Sequence, residues 1–588
     1  MKNKEFINKT TAAWIWRQTI PFLPRLLLII ALNSVVIFAN IYLTILTKNL
    51  IDTASSLAGY IPEAAGAGIG WVMSQIPDIL RSQPEILRNI ILYVLIILLD
   101  IGISMTASFM SVYLSEKFEF YIRRRMFDTI IRAKWRNVTA YHSGDLMVRL
   151  TSDIHSLASG IINVLSSVVI LIVSFAASFV TLMYFDPSLA LFAFALGPIA
   201  VALSMYSGKR LKSYQTRIQE SEANYRSHMQ ENIANITVVK SFTSEDRMSG
   251  RLYSLYRERM KLVVKRNRLS IVMGSIIGFT YSIGYLAALV WGIIKISLNM
   301  MSFGTLTIFL SLVGRVQSPV LGLAKTVPTI SSIFASAARI VEIDTLPVED
   351  YEAIEIGAVS MGIRFQDIDY SYHTNEVFKG LNLDIKPGSL VAITGSSGLG
   401  KTTLIRLMMN YVDAQSGTVT FYYTDEHGNP TESLAAPGIR DYISYVPQGN
   451  TLFSGSIRSN LLLGNPSLTD EEIYAILKSA TLFDYVMSLP DGIDTVVGEK
   501  GHGLSEGQAE RIAIARALAK KAPVVIFDEA TSALDEQTEQ RIIQNIKELE
   551  NGPTCIFITH KLGILPFLDE EIKLGNVVNK SIRKGKNR

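Results

Sequence analysis

Gly395-Ser396-Ser397-Gly398-Leu399-Gly400-Lys401-Thr402-Thr403 is the stretch whose reading decides what the second half of this chain is. An apolar run, Leu390-Val391-Ala392-Ile393-Thr394, leads into it, and a helical pattern, Thr403-Leu404-Ile405-Arg406-Leu407-Met408-Met409, leads out. Strand, glycine-rich loop and helix in that order fit G-x-x-x-x-G-K-[ST], the P-loop. The glycines let backbone N–H groups turn inward around a β-phosphate. Lys401 reaches the β- and γ-phosphates, and the Thr402 hydroxyl can ligate Mg2+. The expected ligand is ATP with Mg2+, held along residues 395–403.

Working outward, composition separates two halves. The chain has 588 residues, enough for more than one domain. Long apolar runs crowd the first half, and the second reads as an ordinary α/β domain. Charged residues make up 18% of the chain and mean hydropathy is +0.28, which together favour an integral membrane protein. A net charge of +4 is small for this length and gives no reason to expect nucleic acid. The single cysteine, Cys555, excludes an intrachain disulfide framework.

Six apolar stretches, near residues 20–45, 90–113, 161–184, 188–207, 271–294 and 304–325, approach the ~20 residues a helix needs to cross a bilayer. Lys and Arg crowd residues 115–155 and 208–268, whereas the 185–187 and 295–303 turns carry almost none. The positive-inside rule therefore puts the N-terminus, both basic segments and everything after residue 325 on the cytoplasmic side. Residues 208–232 and 244–268 are rich in helix formers and lack proline, so the spans are expected to continue as helical arms. Irregular tips are expected at Trp135–Asp145 and near Asn232–Phe242. Asn33, Asn40, Asp100, Arg315 and Gln317 fall inside the spans. They line a water-filled pathway with polar sites for cargo, or Asp100 pairs with a neighbouring helix, or the span ends lie elsewhere and Arg315 snorkels. In the outer segment 55–88, apolar residues recur at helical spacing before Pro77; an interfacial helix and a plain loop are the two readings.

Residues 326–360 link the halves, and a cassette of α/β type is expected over 361–579, with strands at Phe365–Tyr372 and Leu381–Ile385 and a disordered basic tail at 580–588. Val524-Val525-Ile526-Phe527-Asp528-Glu529 reads as a buried strand ending in two carboxylates. Asp528 is placed to hold Mg2+ and Glu529 to polarise an attacking water. Leu504-Ser505-Glu506-Gly507-Gln508 precedes a helical run, 510–519.

Together these stretches resemble the ATP-binding cassette (ABC) family, whose LSGGQ-like signature separates it from other P-loop ATPases. By that resemblance Tyr372 stacks on adenine, and Gln448 is the Q-loop glutamine, close to both Mg2+ and the reacting phosphate. Ser532-Ala533-Leu534-Asp535 is the D-loop, and His560 is the switch histidine. Gly498-Glu499-Lys500-Gly501 looks like the short loop exporters place beside their membrane helices. Six spans before one cassette, with Gly144-Asp145-Leu146 and Val238-Val239-Lys240-Ser241-Phe242 at the tips, look like a type IV exporter half-transporter.

The resemblance implies a multidomain chain, a six-helix membrane domain over 1–325 followed by an α/β nucleotide-binding domain. It implies a dimer in which ATP lies between the P-loop of one chain and Ser505, Gly507 and Gln508 of a second half-transporter. Homodimer and heterodimer both remain open, because Glu506 replaces a signature glycine while every catalytic position is filled. The expected function is ATP-driven export of a lipid, peptide or hydrophobic small molecule across a bacterial inner membrane. The alternatives are an exporter-fold importer or a regulatory half with low ATPase.

Overall fold

The structure, a computed structural model, describes residues 2–58, 84–372, 375–396, 398–424, 429–449, 451–498, 503–549 and 552–575. Ser397, residues 499–501 of the exporter-type loop, the basic tail and most of the outer segment lie outside them. The chain divides into two compact units, Met1–Thr129 with His142–Thr345, and Ile130–Tyr141 with Leu346–Arg588.

The first unit is helical. Helices α1 (Lys2–Thr19), α2 (Leu23–Ala58) and α3 (Pro84–Arg132) come first. The short α4 (Trp135–Val138), which belongs to the second unit, and α5 (Ser143–Val148) follow. Then come α6 (Ile154–Phe185), α7 (Pro187–Ala234), the short α8 (Ile236–Ser241), α9 (Glu245–Ser297) and α10 (Phe303–Asp344). Five of the expected spans fall inside one long helix each, and the first, 20–45, enters α2 through a 3-10 turn, Ile20–Phe22. Four helical stretches, Lys9–Ser55, Pro84–Arg132, Ser143–Phe185 and Glu245–Ser297, are long and apolar enough to cross a membrane among the described residues. The expected helical arms are present. α9, at 53 residues, is about 80 Å long at 1.5 Å per residue, against about 30 Å of bilayer hydrocarbon. Both expected tips hold short helices, and the last helix runs on to Asp344 through the first part of the 326–360 link.

Polar ties align these helices. Between α5 and α6 the chain makes a π-turn, Arg149–Asp153. There Asp153, buried, accepts from Arg339 Nε at 2.6 Å and Ser336 Oγ at 3.0 Å on α10. Arg149 reaches Glu342 at 2.8 Å. Asp344 joins α1 and α3, accepting from Trp14 Nε1 at 2.7 Å and Arg125 Nε at 2.9 Å. At the other end of α10, Asp52 Oδ1 accepts from Gly304 N at 2.9 Å. A Cβ on Gly304 would lie 2.4 Å from the Lys48 carbonyl, so only glycine permits this approach. Within the spans, Asn40 Nδ2 donates to Asp100 Oδ1 at 3.2 Å. Of the two readings of Asp100, the structure displays the pairing with a neighbouring helix.

The second unit is built on a parallel five-stranded sheet, ordered β11-β3-β10-β9-β6. Its strands are β3 (Leu390–Thr394), β6 (Ile443–Val446), β9 (Val524–Asp528), β10 (Thr554–Ile558) and β11 (Glu570–Lys573), while β7 (Gly455–Ser456) and β8 (Val496–Val497) pair by themselves. β9 and β10 are buried at every position, as apolar runs covered on both faces must be. An antiparallel sheet, β2-β1-β4-β5, lies over one face: β1 (Gly362–Tyr372), β2 (Asn375–Ile385), β4 (Ser416–Thr424) and β5 (Pro430–Leu434). Residues from both sheets, among them Phe365, Phe378, Phe421, Ile526 and Ile556, form one core. A second core on the other face joins Phe527 and Phe557 to helices α12–α16 through residues such as Ile512 and Ile543, whereas α11 packs into the first core. These helices are α11 (Lys401–Met408), α12 (Ile457–Leu462), α13 (Asp470–Ser479), α14 (Phe483–Ser488), α15 (Glu506–Ala519) and α16 (Glu536–Lys547).

Residues 130–141 fold with this second unit. Ala133 bridges Val348, and Lys134 N donates to the Pro347 carbonyl at 2.9 Å. The Trp135 ring stacks on Tyr411 with centroids 5.3 Å apart, and the Arg406 guanidinium lies 4.9 Å from the Trp135 centroid.

Candidate nucleotide site

In a parallel sheet all strands end on one edge, and adjacent strands deliver their exit loops to the same place. Here β3, β10, β9 and β6 are consecutive neighbours. The P-loop leaves β3, His560 follows β10, Asp528 and Glu529 close β9, and Gln448 follows β6. Topology alone therefore gathers residues more than a hundred positions apart.

The P-loop glycines are required by conformation. Gly398 and Gly400 have φ of +87° and +94°, in the left-handed region. A Cβ on Gly400 would lie 2.7 Å from the Phe378 ring and from Val377. The turn leads straight into α11, whose first residue is Lys401. Its buried Nζ donates to the Gly395 carbonyl at 2.7 Å and lies 2.6 Å from His560 Nε2. Burial pushes the ammonium below its ordinary pKa, against the pull of Glu529 and Asp528. Thr402 is exposed at the opening of the helix, and Thr403 is buried. Ser396 is exposed, and its carbonyl accepts from Leu399 N at 3.4 Å.

Glu529 has φ of +53°, uncommon for a side chain with a Cβ. Its N–H donates to the Ile558 carbonyl at 3.0 Å, which ties this strained residue to β10. Its carboxylate accepts from Gln448 Nε2 at 2.6 Å and lies 3.4 Å from His560 Nε2. Asp528 is buried and accepts from the Tyr445 hydroxyl at 3.1 Å. Burial lifts the Asp528 carboxyl above its ordinary value, and the Glu529 charge adds to the rise. Tyr372, at the end of β1, accepts on its hydroxyl from Arg406 Nη1 at 2.8 Å. Lys401, Asp528, Glu529, Gln448 and His560 thus form one cluster. Its cation and imidazole suit a polyphosphate, and its carboxylates suit a metal ion and a water.

The signature residues form a separate feature. Ser505 caps α15: its Oγ accepts from Gln508 N at 3.3 Å, while Gln508 Oε1 accepts from Ser505 N at 2.8 Å. This capping box fixes the first turn. Gly507 approaches the D-loop closely; a Cβ there would lie 3.1 Å from the Ala533 carbonyl. Glu506 is exposed beside Ser505. Among the described residues, no hydrogen bond joins Ser505, Gly507 or Gln508 to the P-loop cluster of the same chain.

Sequence reading missed three participants. Glu510 accepts from Ser532 Oγ at 2.9 Å and Ala533 N at 3.0 Å, tying the signature helix to the D-loop. Arg406 holds the Tyr372 hydroxyl, and Tyr445 holds Asp528. A helix face through Arg406 and strand alternation through Tyr445 carried the signal for the last two. Glu510 carried none, because its partner is set by the tertiary fold.

Comparison with known proteins agrees with this geometry. Residues 26–320 match the family described as ABC transporter transmembrane region, and residues 378–532 the family described as ABC transporter. A putative export ATP-binding/permease protein of Rickettsia felis is 30% identical, over 90% of this chain and 92% of its own length. An ATP-dependent lipid A-core flippase of Desulfotalea psychrophila is 33% identical over 72% of this chain and 74% of its own. The solved structure of a bacterial Atm1-family ABC exporter with ATP bound superposes with a TM-score of 0.74 at 21% identity, covering 96% of this chain and 94% of that one. With a transmembrane region and a nucleotide-binding cassette in one polypeptide, the chain belongs to the ABC transporter family, as an exporter half-transporter that couples ATP hydrolysis to transport.

Proposed function

We propose that the chain exports an amphipathic, lipid-like cargo as a dimer, each ATP lying between the P-loop of one chain and the signature of its partner. The observation that carries this is the division of the site. Lys401, Asp528, Glu529, Gln448 and His560 gather at one sheet edge, while Ser505, Gly507 and Gln508 stand apart on α15. A second copy supplies the missing half.

In this reading Tyr372 stacks on adenine, and residues 395–403, Gly395, Ser396, Ser397, Gly398, Leu399, Gly400, Lys401, Thr402 and Thr403, enclose the phosphates. The Thr402 hydroxyl, the Asp528 carboxylate and the Gln448 side-chain carbonyl are hard oxygen donors that fit Mg2+. When bound, Mg2+ neutralises charge on the β- and γ-phosphate oxygens. Glu529 takes a proton from water as that oxygen attacks the γ-phosphorus and the bond to the ADP oxygen breaks. His560 donates to the γ-phosphate, and Lys401 offsets its charge. The basic arms support an inner-membrane orientation with the N-terminus and cassette in the cytoplasm.

The names of two relatives, ATP-dependent lipid A-core flippases of Syntrophus aciditrophicus and Desulfotalea psychrophila, support an amphiphile first. ATPase activity of the purified chain in lipid, beside Glu529→Gln, tests the reading. Turnover is expected, and the variant is expected to lose about 100-fold or more while binding ATP. Full turnover by Glu529→Gln would remove Glu529 from its role. The exposed Glu506 favours a second reading, an unequal pair; a folded, ATP-binding chain without turnover, recovered with a different half-transporter on co-purification, would support it.

A further inference from the structure

Tyr445 precedes Gln448 by three residues and still lies on β6. Parallel pairing sets it opposite Ile526 of β9. Residues two apart on a strand share a face, so Asp528 lies on the same side of the sheet, one step nearer the C-terminal edge. That step is about 6.6 Å. The phenol spans it, and its hydroxyl donates to Asp528 Oδ2 at 3.1 Å. The ring itself packs against the core shared by the two sheets, which fixes its direction.

The consequence lies in the two oxygens of Asp528. Oδ2 is committed to the phenol. A carboxylate tied through one oxygen cannot turn about its terminal torsion without breaking that bond, so the other oxygen keeps one bearing. Asp528 is buried, where an untethered carboxylate has little water to hold it. The same short stretch also holds the second acid, since Gln448 donates to Glu529 at 2.6 Å. One strand end therefore sets both carboxylates.

We infer that Tyr445 is a positioning residue for the metal: its hydroxyl anchors Asp528 Oδ2 so that the other carboxylate oxygen is presented to the divalent cation accompanying ATP. This rests on the proposed role of Asp528. A phenol that orients a metal-holding carboxylate acts on ion affinity and leaves metal-free nucleotide binding alone, because among the described residues the Tyr445 hydroxyl bonds to the acid and to no P-loop group.

The test is Mn2+ binding to the full-length chain loaded with ATP, in the Glu529→Gln background that prevents turnover, read from the free Mn2+ signal in electron paramagnetic resonance. Tyr445→Phe is expected to raise the Mn2+ Kd by about tenfold or more, with ATP affinity in EDTA unchanged. Para-aminophenylalanine at position 445, which keeps ring and donor, is expected to restore Mn2+ affinity. In an Asp528→Asn background, Tyr445→Phe is expected to add nothing. Should Tyr445→Phe not fold, para-aminophenylalanine against para-methylphenylalanine reads the same difference. Unchanged Mn2+ affinity in the donor-less variants, or an equal loss in the Asp528→Asn background, would overturn the inference while leaving Asp528 in place. Unchanged Mn2+ affinity in Asp528→Asn alone would remove the metal role of Asp528, and the inference with it.

Discussion

Lys401 Nζ and His560 Nε2 meet at 2.6 Å, so the cation of the P-loop and the imidazole after β10 share one hydrogen bond. An ammonium can only donate, so in this pairing Nε2 accepts. The lysine is also held by the Gly395 carbonyl at 2.7 Å. Both contacts aim the ammonium into the space framed by β3, β9 and β10, where a triphosphate would exchange with the imidazole as its partner.

The two residues are expected to fail differently. Lys401→Met removes the buried cation that faces the phosphates, and ATP affinity is expected to fall about 100-fold. His560→Ala leaves that cation in place, so affinity stays within about threefold while turnover falls by about 100-fold or more. Equilibrium nucleotide binding beside steady-state ATPase separates them, and equal losses of affinity would contradict the division.

Asp528 is buried with its carboxyl raised above the ordinary value, chiefly by burial. A raised carboxyl favours the fold while protonated, and that contribution is lost as pH rises through the folded value. At pH 7 the charge is therefore a liability. Asp528→Asn, which keeps an acceptor for Tyr445, is expected to raise the nucleotide-free Tm by about 2–4 °C. As pH falls through the folded value the parent protonates and the gap closes. A lower Tm in the variant at pH 7 would contradict this.

Trp135 holds the 130–141 tip to the cassette by stacking on Tyr411 and by receiving Arg406 on its ring. Trp135→Ala removes both contacts, worth about 1–2 kcal/mol together. Proteolysis within residues 132–141 is expected to accelerate about tenfold, whereas an unchanged cleavage rate would show that the backbone bonds at Lys134 and Ala133 suffice.

Asp153 on the π-turn is satisfied by Arg339 and Ser336 of α10. Arg339→Met leaves the buried carboxylate without its bonded cation, held only by Ser336, and is expected to destabilise by about 2–4 kcal/mol. Adding Asp153→Asn removes the uncompensated charge, and the double variant is expected to recover about half the loss. Thermal unfolding of the four chains in one detergent reads the coupling, and strictly additive losses would deny it.

The chain's own pattern determined much of this protein. The apolar runs foretold the long helices α2, α3, α6, α7, α9 and α10, because crossing hydrocarbon leaves the backbone no partner but itself. The glycines foretold a tight phosphate-cradling loop, and the structure puts Gly398 and Gly400 in the left-handed region that no larger residue adopts cheaply. The strand before and the helix after that loop followed from local periodicity. A strand ending in two carboxylates marked Glu529, and family resemblance marked Gln448 and His560, but nothing local placed them within reach of Lys401. Only the order β3, β10, β9, β6 did that, since strand neighbours are chosen by the packing of a buried sheet and not by separation along the chain. Tyr445 on Asp528, Arg406 between Tyr372 and Trp135, Glu510 on the D-loop and Asn40 on Asp100 are likewise decisions of the tertiary structure. Each joins a polar group to a partner that is distant in sequence or on another element, and burial of that group is what makes the partner necessary.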